Sequence, residues 1–298
     1  MTIFRTFSGS VAAAIAWAAL SISAQTAFAN GLVRYVGLNG NNNNDCQLNT
    51  PCRSLRRGIQ MTPDGGELRV LESGNYGSTA TITRAITIAG ARPDVTLSQM
   101  FLTIDAANTS VSLRNLQFLG DSSVPIAIDV TSVGKMHIEN CVVSSYTDRA
   151  VRVALPSVFG SLAVVGSIFK NNGYGLEVTI ASSYVGVTIE QSRFNGNTIG
   201  VTIVGGRLAV NRSNFSLNTT GISLVGANAS IDSTMLFRST NGMVVDSGST
   251  AMITNSTFAR GTSGVSNQGT LYTRQNNTFF GNTSDISGTG AVNNLLPQ

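Results

Sequence analysis

Short runs of alternating apolar and polar residues recur along the chain, each broken by Gly or Asn. One set is Val111-Ser112-Leu113, Met136-His137-Ile138, Val187-Thr188-Ile189 and Leu208-Ala209-Val210. A second is Leu176-Glu177-Val178, Val201-Thr202-Ile203, Ile222-Ser223-Leu224 and Met243-Val244-Val245. Alternation with a period of two predicts strands with one face buried, and the runs are too short for helices. Between the two sets lies an apolar anchor, at 118, 143, 169, 194, 215, 236, 258 and 279. The steps are 25, 26, 25, 21, 21, 22 and 21 residues. Glycine follows several anchors by six positions (Gly175, Gly200, Gly221, Gly242, Gly264), and asparagine by three (Asn172, Asn197, Asn218, Asn282).

A repeat of this length cannot bury its apolar face alone, but stacked repeats can, with equivalent residues about 4.8 Å apart. The expected fold is all-β: a right-handed, single-stranded parallel β-helix, the hand following the bias of parallel crossovers. The anchors then form an internal ladder. Ser167, Ser192, Ser213, Thr234 and Ser256, two positions before their anchors, form another and are expected to satisfy one another by hydrogen bonds. A propeller blade would repeat at about 40–45 residues, and the L-x-x-L-x-L of leucine-rich repeats does not occur.

The region before residue 105 differs. Arg53 to Met61 places Cys52, Leu55 and Ile59 on one helical face, followed by the turn Pro63-Asp64-Gly65-Gly66. The expectation is a short capping helix, with Leu68 to Leu71 and Ile82 to Ile88 as the first strands. At the far end Arg274 replaces an apolar residue, and Asn293 to Gln298 is expected to fray.

At the N-terminus, Arg5, the apolar run Val11 to Ile22 and Ala27-Phe28-Ala29 read as a secretory signal peptide over residues 1–29. The run is shorter than the ~20 residues of a membrane span. The mature chain of 269 residues (298 − 29) is expected to be one domain without a membrane span. Residues 30–104 are its cap and first coils, and 105–290 its regular coils. It is expected to be monomeric and periplasmic or extracellular. In that setting Cys46 and Cys52 are expected to form a disulfide, the alternative being two free thiols. Cys141 falls on an inward position and is expected to act as a small buried hydrophobe.

Charged residues make up only 11% of the chain. Without Arg5 the formal charge is 18 − 15 = +3, spread along the sequence with no basic run interleaved with aromatics. That excludes an evident nucleic-acid surface.

Asp45-Cys46, Pro51-Cys52-Arg53, Leu55, Ile59, Pro63-Asp64-Gly65-Gly66, Gly74-Asn75-Tyr76 and the run Ile82 to Gly90 resemble the N-terminal segment of the pectin-lyase-like superfamily. The later coils resemble its right-handed β-helix repeats. The resemblance implies the fold and only weakly a function, with polysaccharide as the candidate partner. It does not select a chemistry, because the group spans lyases, hydrolases, epimerases, tail-spike proteins and adhesins. The hydrolase motifs N-T-D, D-D, G-H-G and R-I-K do not occur, nor does the epimerase signature Y-G-x-D-P-H. No two acids are adjacent and there is no D-x-D, so no lyase-type calcium cluster is legible. No cofactor or metal is implied.

The repeat phase assigns outward residues six and four positions before each anchor: Ser112/Arg114, His137/Glu139, Ala163/Val165, Thr188/Glu190, Ala209/Asn211, Ser230/Asp232, Met252/Thr254 and Thr273/Gln275. His137 is the only histidine. With Glu139 and Arg114 it forms a candidate catalytic group for acidic sugar, His137 as general base and Arg114 as carboxylate clamp. Lys135, Glu190 and Asp232 are candidate ligand-binding residues on the same stripe. The competing reading is a solvated face with ordinary cross-strand charge pairs. Arg152 and Glu177, outward in successive coils, are expected to form a surface ion pair. The functional expectation is an exported protein that binds polysaccharide or cell-surface glycan through its lateral faces. The alternatives are a polysaccharide lyase or epimerase on acidic glycan, and a structural or adhesive surface protein.

Overall fold

The computed structural model describes residues 32–155, 160–180 and 186–296. The expected signal peptide lies outside them. Each regular coil has three strands. In one, Arg207–Asn211 leads to Asn214–Ser216 and then to Thr220–Val225, before Asn228–Asp232 opens the next coil. Equivalent strands pair in parallel, Leu208 with Ala229 and Phe215 with Leu236. The three faces are called sheets A, B and C, in chain order through a coil. Two strands, Phe101–Arg114 and Ile126–Glu139, pass from sheet C into sheet A without a break. The fold is the right-handed parallel β-helix with a single short helix among the described residues.

The anchors all lie on sheet B and stack in register, from Phe118 through Val143 and Phe169 to Phe279. The rings of Phe169, Phe194 and Phe215 stack 4.8 Å apart and nearly parallel. The glycine six residues on is the counterpart of each ring. A Cβ on Gly175 would lie 2.5 Å from the Gly200 carbonyl oxygen and 2.8 Å from Cδ1 of Phe194. Sheet C can therefore close over the aromatic stack only without a side chain there.

The polar positions beside the anchors are buried and satisfied by the next coil. The hydroxyls do not bond one another, as the sequence pattern had implied. Ser192 Oγ accepts the Ser167 N–H at 3.1 Å and donates to the Glu190 carbonyl of its own strand at 2.8 Å. The reason is the turn: Gly166, just before the donor Ser167, has φ +59°, and Gln191, just before Ser192, has φ +49°. At the other end of sheet B, Asn197 Oδ1 accepts the backbone and side-chain N–H of Asn172, and its Nδ2 donates to Phe169 and Asn218.

The first coil departs from the expected boundaries. A strand at Val33–Val36, unmarked in the sequence pattern, pairs with Gly66–Val70. The helix spans Leu55–Met61, not Arg53 to Met61, because Ser54 caps it by accepting the Arg57 N–H. Cys52 lies outside it, bridged to Val36. Leu55, Gly58 and Ile59 close the end of the core, Gly58 so tightly that a Cβ would meet Val36 at 2.6 Å. The run Ile82 to Ile88 is two strands, Thr79–Ile82 and Ile86–Gly90, with the corner from sheet C to sheet A between them. At the C-terminal end Ala291–Leu295 pairs with Thr270–Arg274, so pairing continues to residue 295.

Candidate functional site

Sheet A carries the residues singled out by the repeat phase. Its register aligns Ser112, His137, Ala163, Thr188, Ala209, Ser230 and Met252 in one outward column, and Arg114, Glu139, Val165, Glu190, Asn211, Asp232 and Thr254 in the next. The last coil slips by one: Met252 faces Tyr272, so Tyr272 and Arg274 are outward while Thr273 is buried. The expected pair Thr273/Gln275 is corrected accordingly, and Arg274 replaces no core residue. An extra turn residue before Thr278 absorbs the slip.

Arg114 and Glu139 meet, with Nε and Oε2 3.2 Å apart, and Arg114 Nε also donates to Ser112 Oγ at 3.0 Å. His137 follows Lys135 by two residues on the same strand, so both project outward. Arg114, Lys135 and His137 line one shallow depression of about 440 Å³ together with Ser110, Ser112 and Ser161. No carboxylate lines it. The His137 Nε2 is buried and has no hydrogen-bond partner. Glu190 and Asp232 are not brought to this place. They lie two and four coils from Glu139, about 10 and 20 Å at ~4.8 Å per coil. Asp232 is engaged locally, accepting from Asn255 Nδ2 at 3.0 Å and Ser233 Oγ at 3.2 Å.

Sheet C carries a denser charged group. Arg152 binds Asp129 through two hydrogen bonds, of 2.7 and 2.6 Å. Arg149 binds Glu177 and Asp148, and its guanidinium lies 5.1 Å from the Tyr174 ring centroid. The expected Arg152–Glu177 pair is thus corrected. Arg152 is in register between Asp129 and Glu177 and turns to Asp129, because Arg149 already occupies Glu177. These hydrogen bonds raise the pKa of both arginines above the ordinary value. Asp129 is nearly buried, so the pair is fixed and its charges are spent on each other.

A second concave surface, of about 900 Å³, lies where sheet A turns into sheet B. Lys170, Arg193 and Arg212 line it. The sequence reading missed it, because outward positions were projected along the strands before and after each anchor but not along the anchor strand itself or the turn that leads into it. The αL turn position and the two residues flanking each anchor carried the same repeat phase and would have found it.

Cys46 and Cys52 form a disulfide. Cys141 is buried, and burial pushes its thiol up to about 12. Among the described residues no three of His, Cys, Asp or Glu converge as metal ligands, and no helix is long and apolar enough to cross a membrane.

No protein-family profile matches the chain, and no curated protein matches its sequence. Solved structures do match it in fold. A pectate lyase, Pel9A, is 16% identical with a TM-score of 0.54, over 89% of this chain and 78% of that one. A GH136 lacto-N-biosidase from Eubacterium ramulus is 11% identical with a TM-score of 0.56, over 89% and 68%. A rhamnogalacturonan lyase is 12% identical with a TM-score of 0.50, over 81% and 75%. At such identities the likeness is one of fold, the right-handed β-helix, and function must be argued from the site.

Proposed function

We propose that this is an exported, non-catalytic β-helix protein that binds acidic polysaccharide or cell-surface glycan through a lateral face. The observation that carries the reading is the sheet A depression, where Arg114, Lys135 and His137 converge with no carboxylate among the lining residues. Lys135 enters no ion pair among the described residues, and the buried His137 Nε2 lacks a partner. A glycan carboxylate supplies the partner that the exposed Lys135 lacks. The polysaccharide-acting names of the fold neighbours support the ligand class, and the disulfide supports an oxidising compartment.

Binding is preferred over turnover because Arg114 is already engaged by Glu139 and Ser112. A carboxylate clamp would have to leave both. The reading as a lyase or epimerase with His137 as general base keeps one observation in its favour, the unpartnered Nε2. The test is calorimetric titration of oligogalacturonate into the wild-type chain and into Lys135→Gln and His137→Gln. Weaker binding in both variants, with no unsaturated uronate released by the wild type, is the expected result. Release of unsaturated product that His137→Gln abolishes would replace binding by catalysis.

A further inference from the structure

We infer that the groove between sheets A and B is a second anionic-polysaccharide site, separate from the sheet A depression. It extends the glycan-binding reading to another surface.

Three cations line the groove, one from each of three successive coils: Lys170, Arg193 and Arg212. The Phe169, Phe194 and Phe215 rings on the inner side of the same coils are 4.8 Å apart, so the cations advance along the solenoid by that rise. They also step sideways. Lys170 is in register with Asn195 at the far end of the sheet B strand, Arg193 with Asn214 at its near end, and Arg212 follows Asn211 at the corner. The three trace a diagonal across the groove. All three are exposed, and none is in an ion pair among the described residues.

The absence of acids is what separates this face from the others. No strand of sheet B, from Val95–Ser98 to Thr278–Phe280, contains an Asp or Glu, and none lines the groove. The arginines of sheet C, by contrast, are neutralised by Asp129, Asp148 and Glu177. Sheet B therefore presents uncompensated positive charge on a stiff surface of fixed rise. Two further cations prolong it, Arg238 and Arg260, whose guanidiniums lie 5.4 and 5.7 Å from the Phe237 ring centroid.

A linear polyanion fits this surface, and the other groove residues choose among polyanions. Gln191 and Asn214 offer amides that pair with vicinal hydroxyls. No aromatic lines the groove, so unstacked bases have no platform there, and the nearby Phe237 is already covered by two guanidiniums. The ligand class is thus a hydroxylated chain bearing carboxylate or sulfate.

The fold itself supplies test variants. The next coil has Asn where Lys170 and Arg193 stand, and the preceding coil has Gln191 where Arg212 stands, at nearly the same positive φ. Lys170→Asn/Arg193→Asn/Arg212→Gln therefore removes three charges using residues the coil already accepts. The full chain is titrated with oligogalacturonate, dextran sulfate and single-stranded DNA by fluorescence anisotropy, alongside Lys135→Gln/His137→Gln. The triple variant is expected to melt like wild type and to bind the glycans at least about tenfold more weakly, with the wild-type affinity falling as salt rises. Preference for oligogalacturonate or for dextran sulfate tells a carboxylated from a sulfated ligand, and either supports the site. Unchanged affinity in the triple variant overturns it, as does DNA binding as tight as glycan binding or no glycan binding at all. Loss only in Lys135→Gln/His137→Gln overturns this groove and leaves the sheet A reading standing. Loss only in the triple variant does the reverse.

Discussion

Cys141 occupies, one coil earlier, the place that Ser167 holds in the buried hydroxyl ladder. The Cys141 N–H donates to Ser167 Oγ at 3.1 Å, and the thiol lies 3.4 Å from the Glu139 carbonyl, as Ser167 Oγ lies 3.0 Å from that of Val165. The backbone N–H of Leu116 continues the chain to the sulfur. Cys141 is thus a ladder member with sulfur in place of oxygen, and its chemistry is that of a structural thiol. Cys141→Ser should fold normally, with stability within about 1 kcal/mol of wild type, since one ladder acceptor replaces another. Thermal melts check this, and the wild-type thiol should resist alkylation until the chain unfolds.

Stability should fall at high pH. Burial pushes Cys141 up to about 12 from 9.0, Tyr76 up to about 12 from 10.0, and Tyr146 higher still. Both tyrosine hydroxyls donate inward, to the carbonyls of Glu72 and Met100. The unfolded chain loses these protons before the native one. The stability they contribute is complete below pH 9 and is lost as pH rises toward 12. Denaturant midpoints between pH 8 and 11 should decline, and Cys141→Ser should lessen the decline.

Asn197→Ala should cost about 1–3 kcal/mol, because it strips the acceptor from the buried Asn172 N–H and the donor from the Phe169 carbonyl. Gly200→Ala should cost a comparable amount by overpacking, about 1–3 kcal/mol. Its Cβ would lie 2.5 Å from the Gly221 oxygen and 3.0 Å from Phe215 Cδ1. Chemical denaturation of the two variants measures both.

The regular coils were legible because one phase governs everything in them. Anchor, hydroxyl, asparagine and glycine recur at fixed offsets, and each turned out to be a column in the stack. Legibility failed where a segment had no repeat to follow. Val33–Val36 is a lone strand that becomes one only by pairing with Gly66–Val70. The Ile82 to Ile88 run looks continuous because a corner can be built from Thr83-Arg84-Ala85 without Gly or Pro. Partner choice was also hidden: register alone lets Arg152 reach Asp129 or Glu177, and the neighbouring Arg149 decides. Of the sheet A residues, Arg114, Lys135 and His137 do converge, while Glu190 and Asp232 share the stripe but are too many coils away.

The exported chain should begin at Asn30, and its mass should be two hydrogens below that of the reduced sequence, from the Cys46–Cys52 bond. N-terminal sequencing and intact mass spectrometry of material recovered outside the cytoplasm check both statements together.

The central claim is that the solenoid holds acidic glycan without cutting it. Mixing the purified chain with long polygalacturonate and separating the mixture by size-exclusion chromatography reads both parts at once. The expected profile has protein shifted into the glycan peak, at unchanged glycan size, and released by added salt. Protein eluting at its own position from intact glycan, or glycan shortened with time, would contradict it.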